Sequence, residues 1–554
     1  MQTAAVASEP DVSRLRLAFA GLAIVLLLVP LAVSAPLVDP DEGLHAAIAQ
    51  EMVRGHDYVT PTFLGEPFLD KPILFFWAEA FSLRLFGMNE AAVRIPPLVF
   101  GLLGMFSVAL LARALFDRVT ALVAGVAYAS MLLPLGVSQV AVHDIGLVPF
   151  VCVAMLCLVR ATGSAQLWRW SVLAGVSLGL SVLTKGLVGV VFVGMFAVCL
   201  AAFNRALLPR IAASLIVAGL VAGVVAAPWY IAMEHAHPGY LYYYFIERHL
   251  HGYLTATQRH AGRPWWYYLP ILVGGTLPWT GFVAGAIRRR ALDERHRILL
   301  VIWTWLAIGL VFLSAGESKL VTYVLPLFPG LAIVIAEYVS RAWLEPDRID
   351  NPASRSFRAG LAVQTAVLAA LPILAALVIQ IRFGGATPVV WGAAIVAASL
   401  VSAIGVKAWR AATLDGFMTA ATLAISISFV VLAAVMAPRA AEWMTARDLA
   451  RVLNESAKLP PHVTVLDERI GSLVFYLAPA LRAEATPDRI STSSRAATLE
   501  RLRVDPPDAV LAVREDELAR FQRLFQVPPI PQVRAGTFSV YRVDQLRAAL
   551  GTVR

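Results

Sequence analysis

Four carboxylates and one lysine gather in two short runs, Asp39-Pro40-Asp41-Glu42-Gly43 and Asp70-Lys71-Pro72, in a chain that is only 15% charged. Asp39, Pro40 and Glu42 have the order of a helix start: an acidic cap, proline at the first helical position and an acid two places on. Leu44, Ala47, Ile48 and Met52 then share one face, the pattern of an amphipathic helix lying along a membrane interface. Asp41 and Glu42 can therefore be first-turn acids favoured by the helix dipole, worth about 0.3–1 kcal/mol each, or groups that do chemistry. Lys71 has no such ready explanation. It stands before Pro72, where an apolar helix from Ile73 to Phe86 should begin, and a cation there opposes the dipole. A phosphate suits that helix end and would repair the mismatch; Asp70 beside it is the plainer repair.

The elements that must position these groups are membrane helices. Of the 554 residues 59% are hydrophobic, and the mean hydropathy is +0.71, a composition of an integral membrane protein. Apolar spans fall near 15–38, 93–112, 119–136, 145–160, 169–184, 186–203, 211–231, 266–287, 298–315, 320–340, 358–380, 388–406 and 414–437, about thirteen helices. The first is longer than a signal-peptide core and is expected to stay in the membrane. The net charge of +9 does not point to nucleic acid. Its arginines sit in short alternate loops (Arg113 and Arg118, Arg160 and Arg169, Arg205 and Arg210, Arg288 to Arg290, Lys407 and Arg410), which places those loops and the amino terminus in the cytoplasm. Cys152, Cys157 and Cys199 all lie in apolar runs, so neither a disulfide framework nor a cysteine metal site is expected.

This organisation divides the chain into a transmembrane domain over 1–438, with long outer loops at about 39–92 and 232–265, and a soluble α/β domain over 439–554 on the outer face. In the latter, His462–Leu466, Asp508–Val513 and Phe538–Val543 read as strands, and Ile470–Leu477 and Glu515–Phe525 as helices.

Further ionisable groups fall on the same outer side: His143-Asp144, Lys185, then Glu247, His249, His251, Arg259, His260 and Arg263, and finally Glu317, Ser318, Lys319 and Tyr323. Charges near a bilayer are expensive and tend to mark function. Trp265 and Trp266 have the usual character of an interfacial belt. Asp70, Glu247 and His249 are donors that a divalent cation could use, although no His-x-x-x-His or cysteine pair supports one. No cofactor is required by this reading; a divalent cation is the only candidate.

Several of these motifs recur together in one family. Asp41-Glu42, Asp70-Lys71-Pro72, Leu183-Thr184-Lys185-Gly186, Pro228-Trp229-Tyr230, Pro264-Trp265-Trp266-Tyr267 and Ser318-Lys319-Leu320 followed by Tyr323 and Leu325-Pro326 appear in this order. Over about residues 15–340 the chain resembles the lipid A aminoarabinose transferase (ArnT-like) branch of the protein-mannosyltransferase-related GT-C glycosyltransferases. The resemblance implies a polytopic helical GT-C fold with interfacial juxtamembrane helices and an outer soluble domain. It also implies inverting transfer from a polyprenyl-phosphate sugar at the outer face of a bacterial inner membrane. Asp41 matches the principal catalytic carboxylate, and Lys71, Asp144, His249, Lys319 and Tyr323 match supporting positions. Leu44-His45 and Asp70-Lys71-Pro72-Ile73 depart from the family's pattern, which usually has a basic then an aromatic residue and Glu-Lys-Pro-Pro, so the sugar or acceptor is free to differ.

The chemistry asks for a neutralised leaving phosphate and a positioned acceptor oxygen around an oxocarbenium-like centre. Lys71, Lys185, Lys319 and Arg263 are candidates to stabilise the phosphate, and Tyr323 to donate to it. Asp41, with Glu42 and Asp144, is the acid set that can take a proton from a hydroxyl acceptor or orient a phosphate acceptor. The acceptor is lipid A or another envelope molecule. Two alternatives remain open: a related transferase acting on protein hydroxyls, and a lipid-linked sugar transporter. The latter would want its ionisable residues near the bilayer midplane rather than at one face.

Overall fold

The computed structural model describes residues 12–550 apart from 34, 256–261, 289–293, 346–350, 384–385, 412, 469 and 526. Arg259, His260, Arg289 and Arg290 lie outside the described residues. Among the described residues ten helices are long and apolar enough to cross a membrane. The span expected over 266–287 is a helix pair, Tyr268–Gly275 and Thr280–Arg288, bent by 105°. The bend falls at Pro278, which has no N–H to continue a helix, and the Leu277 carbonyl there accepts from the Leu132 amide at 2.8 Å. Those expected over 119–136 and 186–203 are the shorter apolar helices Arg118–Ser130 and Val188–Phe203.

Helices Asp144–Gly163 and Leu167–Lys185 form an antiparallel pair, and Leu208–Ala236 packs along the second of them. Lipid gives no hydrophobic drive between helices, so small residues that let backbones approach decide the contact. A Cβ on Gly175 would stand 2.7 Å from the Ala218 carbonyl oxygen, and one on Gly179 3.0 Å from that of Ala222. Ser171 donates to Ser214 across the same seam at 2.9 Å.

Two expectations about the first outer loop need correction. The helix begins at Asp41, with Pro40 rather than Asp39 at the cap, because the Asp39 carboxylate is bonded elsewhere, to Ser472. Nor does Asp41–Gly55 lie on the interface with one face free. Glu42, Gly43, every residue from His45 to Gln50, and Met52 are buried, because a carboxyl-terminal helix covers the side that periodicity assigned to water. The following helix, Leu74–Phe86, ends at Gly87, whose φ of 89° suits glycine.

Beyond Arg447 the chain forms a five-stranded sheet. Its spatial order runs Ile490–Ser493, Val463–Leu466, Val510–Arg514, Phe538–Arg542, Val533–Ala535. The first three strands are parallel and the last two pairings antiparallel. Val463–Leu466 is buried along its whole length, as a central parallel strand should be. The edge strands Ile490–Ser493 and Val533–Ala535 carry too few apolar residues to stand out in the sequence. Arg501 donates to Ser491 at 2.6 Å and to His462 at 2.8 Å, pinning the Arg495–Val504 helix to the sheet.

Candidate active site

The ends of the membrane helices build one wall of a cavity. Asp144 opens one helix and Lys185 closes its antiparallel neighbour, so residues 41 apart in sequence meet at the same end of the pair. They form a short ion pair, with side chains only 6% and 12% exposed. The Lys185 ammonium also stands 4.4 Å above the Tyr323 ring, where a cation–π contact adds to its hold.

The cavity, about 150 Å³, is lined by Asp70, Lys71, Lys185, Tyr244, Arg248, His249, Tyr268, Ser318 and Tyr323, with Leu147, Val188, Phe312 and Leu313 as its apolar part. The Asp70 carboxylate accepts from the Tyr243 hydroxyl at 2.6 Å and pairs with Arg248 at 3.0 Å. Burial, with Asp70 alongside, raises the Tyr243 phenol to about 12, so it stays a donor. His249 is fixed through Nδ1 against the Tyr244 carbonyl at 2.7 Å, and burial lowers its pKa, which favours neutral imidazole. Lys71 makes no hydrogen bond or ion pair among the described residues. Three cations thus face one small space, and the carboxylates beside them, Asp70 and Asp144, answer Arg248 and Lys185. The remaining positive charge suits an anion.

Asp41 is not among the lining residues; it is exposed in the first turn of its helix. One turn on, His45 is buried, and its Nδ1 is 2.7 Å from the Ala141 carbonyl. Burial pushes His45 down to about 4, and the charges that bear on it are Asp41, Lys71 and Asp144. That neutral imidazole lies within electrostatic reach of all three groups.

Other residues singled out in the sequence are placed elsewhere. Glu42 is buried and takes a two-pronged ion pair from Arg94 at 2.9 Å, with the Val38 amide also bonded to it. It holds the helix start and does not line the cavity. Lys319 is 4% exposed and donates to the carbonyls of Gly316 at 2.5 Å and Arg263 at 3.3 Å, so its ammonium ties two backbone turns together. Arg263 is exposed, 5.7 Å from the Tyr267 ring. Asp144 is a buried partner of Lys185 rather than an open base. Asp70 and His249, two groups considered for a divalent cation, both have protein partners. Asp70 is bonded by Tyr243 and Arg248, His249 is held at Nδ1, and no group of three metal-ligating side chains occurs among the described residues. Arg248 and Tyr268 are lining groups that sequence reasoning did not select. Arg248 carried no spacing signal, standing among several basic residues of one loop.

Residues 70–231 match the family model of dolichyl-phosphate-mannose-protein mannosyltransferases. An undecaprenyl phosphate-alpha-4-amino-4-deoxy-L-arabinose arabinosyl transferase of Aeromonas salmonicida (strain A449) is 33% identical over 306 residues, 54% of this chain and 56% of the relative. The match thus spans little more than half of that relative's length. The protein of the same name from Erwinia tasmaniensis is 31% identical over 415 residues, 70% of this chain and 72% of the relative. The chain belongs to this arabinosyl transferase family. Its fold is that of ArnT from Cupriavidus metallidurans, crystallised bound to undecaprenyl phosphate. The TM-score is 0.72 at 22% identity, covering 95% of this chain and 98% of that one. The apo oligosaccharyltransferase of Archaeoglobus fulgidus is a more distant likeness, with a TM-score of 0.53 at 14% identity, covering 92% of this chain and 70% of that one. By family and by fold the chain is accordingly ArnT-like.

Proposed function

We propose that this ArnT-like chain transfers a sugar, aminoarabinose in the first instance, from a polyprenyl-phosphate donor to lipid A at the outer face of the inner membrane. The carrying observation is the cavity with three cations, of which Lys71 has no partner among the described residues; the exposed Asp41 and Lys71 both act electrostatically on the buried His45. Lys71, Lys185 and Arg248 receive the donor phosphate, and Tyr323 and Tyr268 can donate to its oxygens. As the anomeric carbon–oxygen bond to phosphate breaks, the growing negative charge is met by cations already in place, which is where such a site lowers the barrier. An acceptor oxygen attacks from the opposite side, so the configuration inverts. Asp41 takes the proton from a hydroxyl acceptor or, where the acceptor is an ionised phosphate, orients it.

The reading also includes thirteen spans, made of the ten long helices, the bent pair and the two short apolar helices, with the amino terminus in the cytoplasm. An odd count leaves the carboxyl-terminal α/β unit on the same outer side as the cavity, as a periplasmic domain. No metal step enters this mechanism. The test is mass spectrometry of lipid A and of polyprenyl-phosphate sugars in cells with and without the gene. Loss of a pentosamine from lipid A, with the donor accumulating, is the expected result. An unchanged lipid A with an altered glycoprotein or other envelope glycan would move the acceptor. A donor trapped on the cytoplasmic side would make the chain a transporter.

A further inference from the structure

The segment that presents Asp41 is not held by the membrane helices alone. The helix Gly471–Tyr476, more than 400 residues later, lies across Asp41–Gly55 with backbone against backbone. A Cβ on Gly471 would stand 2.1 Å from the Leu44 amide nitrogen, and one on Gly43 2.3 Å from that of Ser472. Both positions therefore exclude any larger residue. The Asp39 carboxylate, two residues before Asp41, accepts from the Ser472 amide at 3.0 Å and from the Ser472 hydroxyl, and that hydroxyl oxygen accepts in turn from the Ala446 amide at 2.8 Å. The Asp39 amide donates to the Met444 carbonyl at 2.7 Å. Tyr476 completes the contact by accepting from the Leu37 amide at 2.8 Å and donating to Glu90 at 3.0 Å.

We infer that the carboxyl-terminal unit is a positioning clamp for Asp41: the Asp39–Ser472 clasp and the Gly43–Gly471 crossing fix the start of the Asp41–Gly55 helix relative to the phosphate cavity. This rests on the functional reading above for the role of Asp41, while the clamp itself is a matter of structure. Asp39 and Ser472 are positioning residues and touch no substrate. The geometry explains why a carboxylate is spent on a helix start that Pro40 already begins. It also explains why both crossing residues are glycines although neither has a positive φ. A shift of about 1 Å in a reacting group is enough to slow a reaction on the order of 100-fold, so a clamp of this kind acts on turnover and not on donor capture.

The experiment uses the full chain in detergent or nanodiscs, with Ser472→Ala, Gly471→Val and Asp39→Asn. Asp39→Asn keeps an oxygen for the Ser472 amide and can donate to the Ser472 hydroxyl, so it is the conservative control. Three quantities are read: turnover, the Kd for undecaprenyl phosphate, and hydrogen–deuterium exchange over residues 38–55. The clamp predicts that Ser472→Ala and Gly471→Val lower kcat by roughly 10–100-fold, leave the Kd for undecaprenyl phosphate unchanged and raise exchange over 38–55. Asp39→Asn should keep most of the turnover. Unchanged exchange over 38–55 in folded Ser472→Ala overturns the clamp, as does a fall in undecaprenyl phosphate affinity equal to the fall in kcat. If Gly471→Val does not fold, Ser472→Ala, which only removes a hydroxyl, carries the test. A wild-type protein without turnover on any polyprenyl-phosphate sugar would defeat the functional reading, and the exchange measurement would still decide the clamp.

Discussion

The two sides of the candidate site are held by different means. The Lys185 side is made by the ends of neighbouring membrane helices: a buried ion pair with Asp144, glycine-lined helix contacts and an aromatic ring beneath the ammonium. The Asp41 side is an exposed first turn whose anchors come from both termini of the chain, Arg94 through Glu42 on one hand and Ser472 through Asp39 on the other. A leaving phosphate needs fixed charge, and fixed charge is best kept dry among packed helices. On the proposed function a proton acceptor has to meet a second substrate, which fits an exposed turn whose start is bonded to a separate unit. The division predicts that changes on the Lys185 side alter binding and stability, and changes on the Asp41 side alter turnover.

The sharpest way to break that comparison is at Asp41. Asp41→Asn should reduce transfer by about 10²–10⁴-fold, the range for removing a general base, with undecaprenyl phosphate affinity retained. Residual turnover above a tenth of wild type would return Asp41 to the role of a first-turn acid. Its neighbour behaves oppositely: Glu42→Gln strands Arg94 in a buried site and should show as lost stability, on the order of 3–5 kcal/mol.

On the other side, Asp144→Asn leaves Lys185 without its buried partner, again a loss of about 3–5 kcal/mol seen as a lower Tm. The double change Asp144→Asn with Lys185→Gln should recover much of that stability but not donor binding. Failure of the double change to recover Tm would mean that the pair is not the unit it looks to be.

A smaller effect separates the lysines. Lys71→Ala should weaken undecaprenyl phosphate binding by about 1–3 kcal/mol, the range for a charge-assisted hydrogen bond. Lys319→Ala should lower Tm with that affinity unchanged, since its ammonium is bonded to two carbonyls. Titration of the ligand against both variants at constant salt checks this. Equal losses of affinity would restore the shared phosphate site that the sequence suggested for the two lysines.

A further test is a pH dependence at the clasp. Burial, outweighing two hydrogen bonds from Ser472, raises Asp39 from the ordinary 3.8 to about 7. The folded protein then binds this proton over a range where the unfolded chain has released it, so the contribution of Asp39 to stability falls as pH rises from about 4 to 7. Comparing wild type with Asp39→Asn, the wild type should lose Tm relative to the variant between pH 5 and pH 8. A difference independent of pH would mean that Asp39 is ionised throughout.

Much of this was legible without coordinates because local rules write it. Apolar runs of span length must be helices in a bilayer, Gly87 ends the helix that Pro72 precedes, and the arginines of alternate loops suggest an orientation. Short apolar runs marked the three central strands of the carboxyl-terminal sheet, whereas its edge strands are too short and too poor in apolar residues to stand out. The order of the short motifs, from Asp41-Glu42 to Tyr323, carried the family resemblance. Residue type and spacing also selected Lys71, Lys185, Asp70, His249 and Tyr323, all of which line the cavity.

What each charged group faces was decided only in three dimensions. Glu42 and Asp41 are adjacent first-turn acids, and no spacing rule tells that one meets Arg94 in the core while the other is exposed. Lys71 and Lys319 both precede apolar helices, yet one opens into a cavity and the other turns back onto backbone carbonyls. Arg248 enters the cavity because a wide helical turn over Tyr243–His251 directs it there, and Asp39 leaves its capping role because Ser472 arrives from the far end of the chain. The physical reason is the same in each case. Whether a helix forms depends on neighbours a few residues away, whereas the partner of a charge depends on which distant segment removes its water.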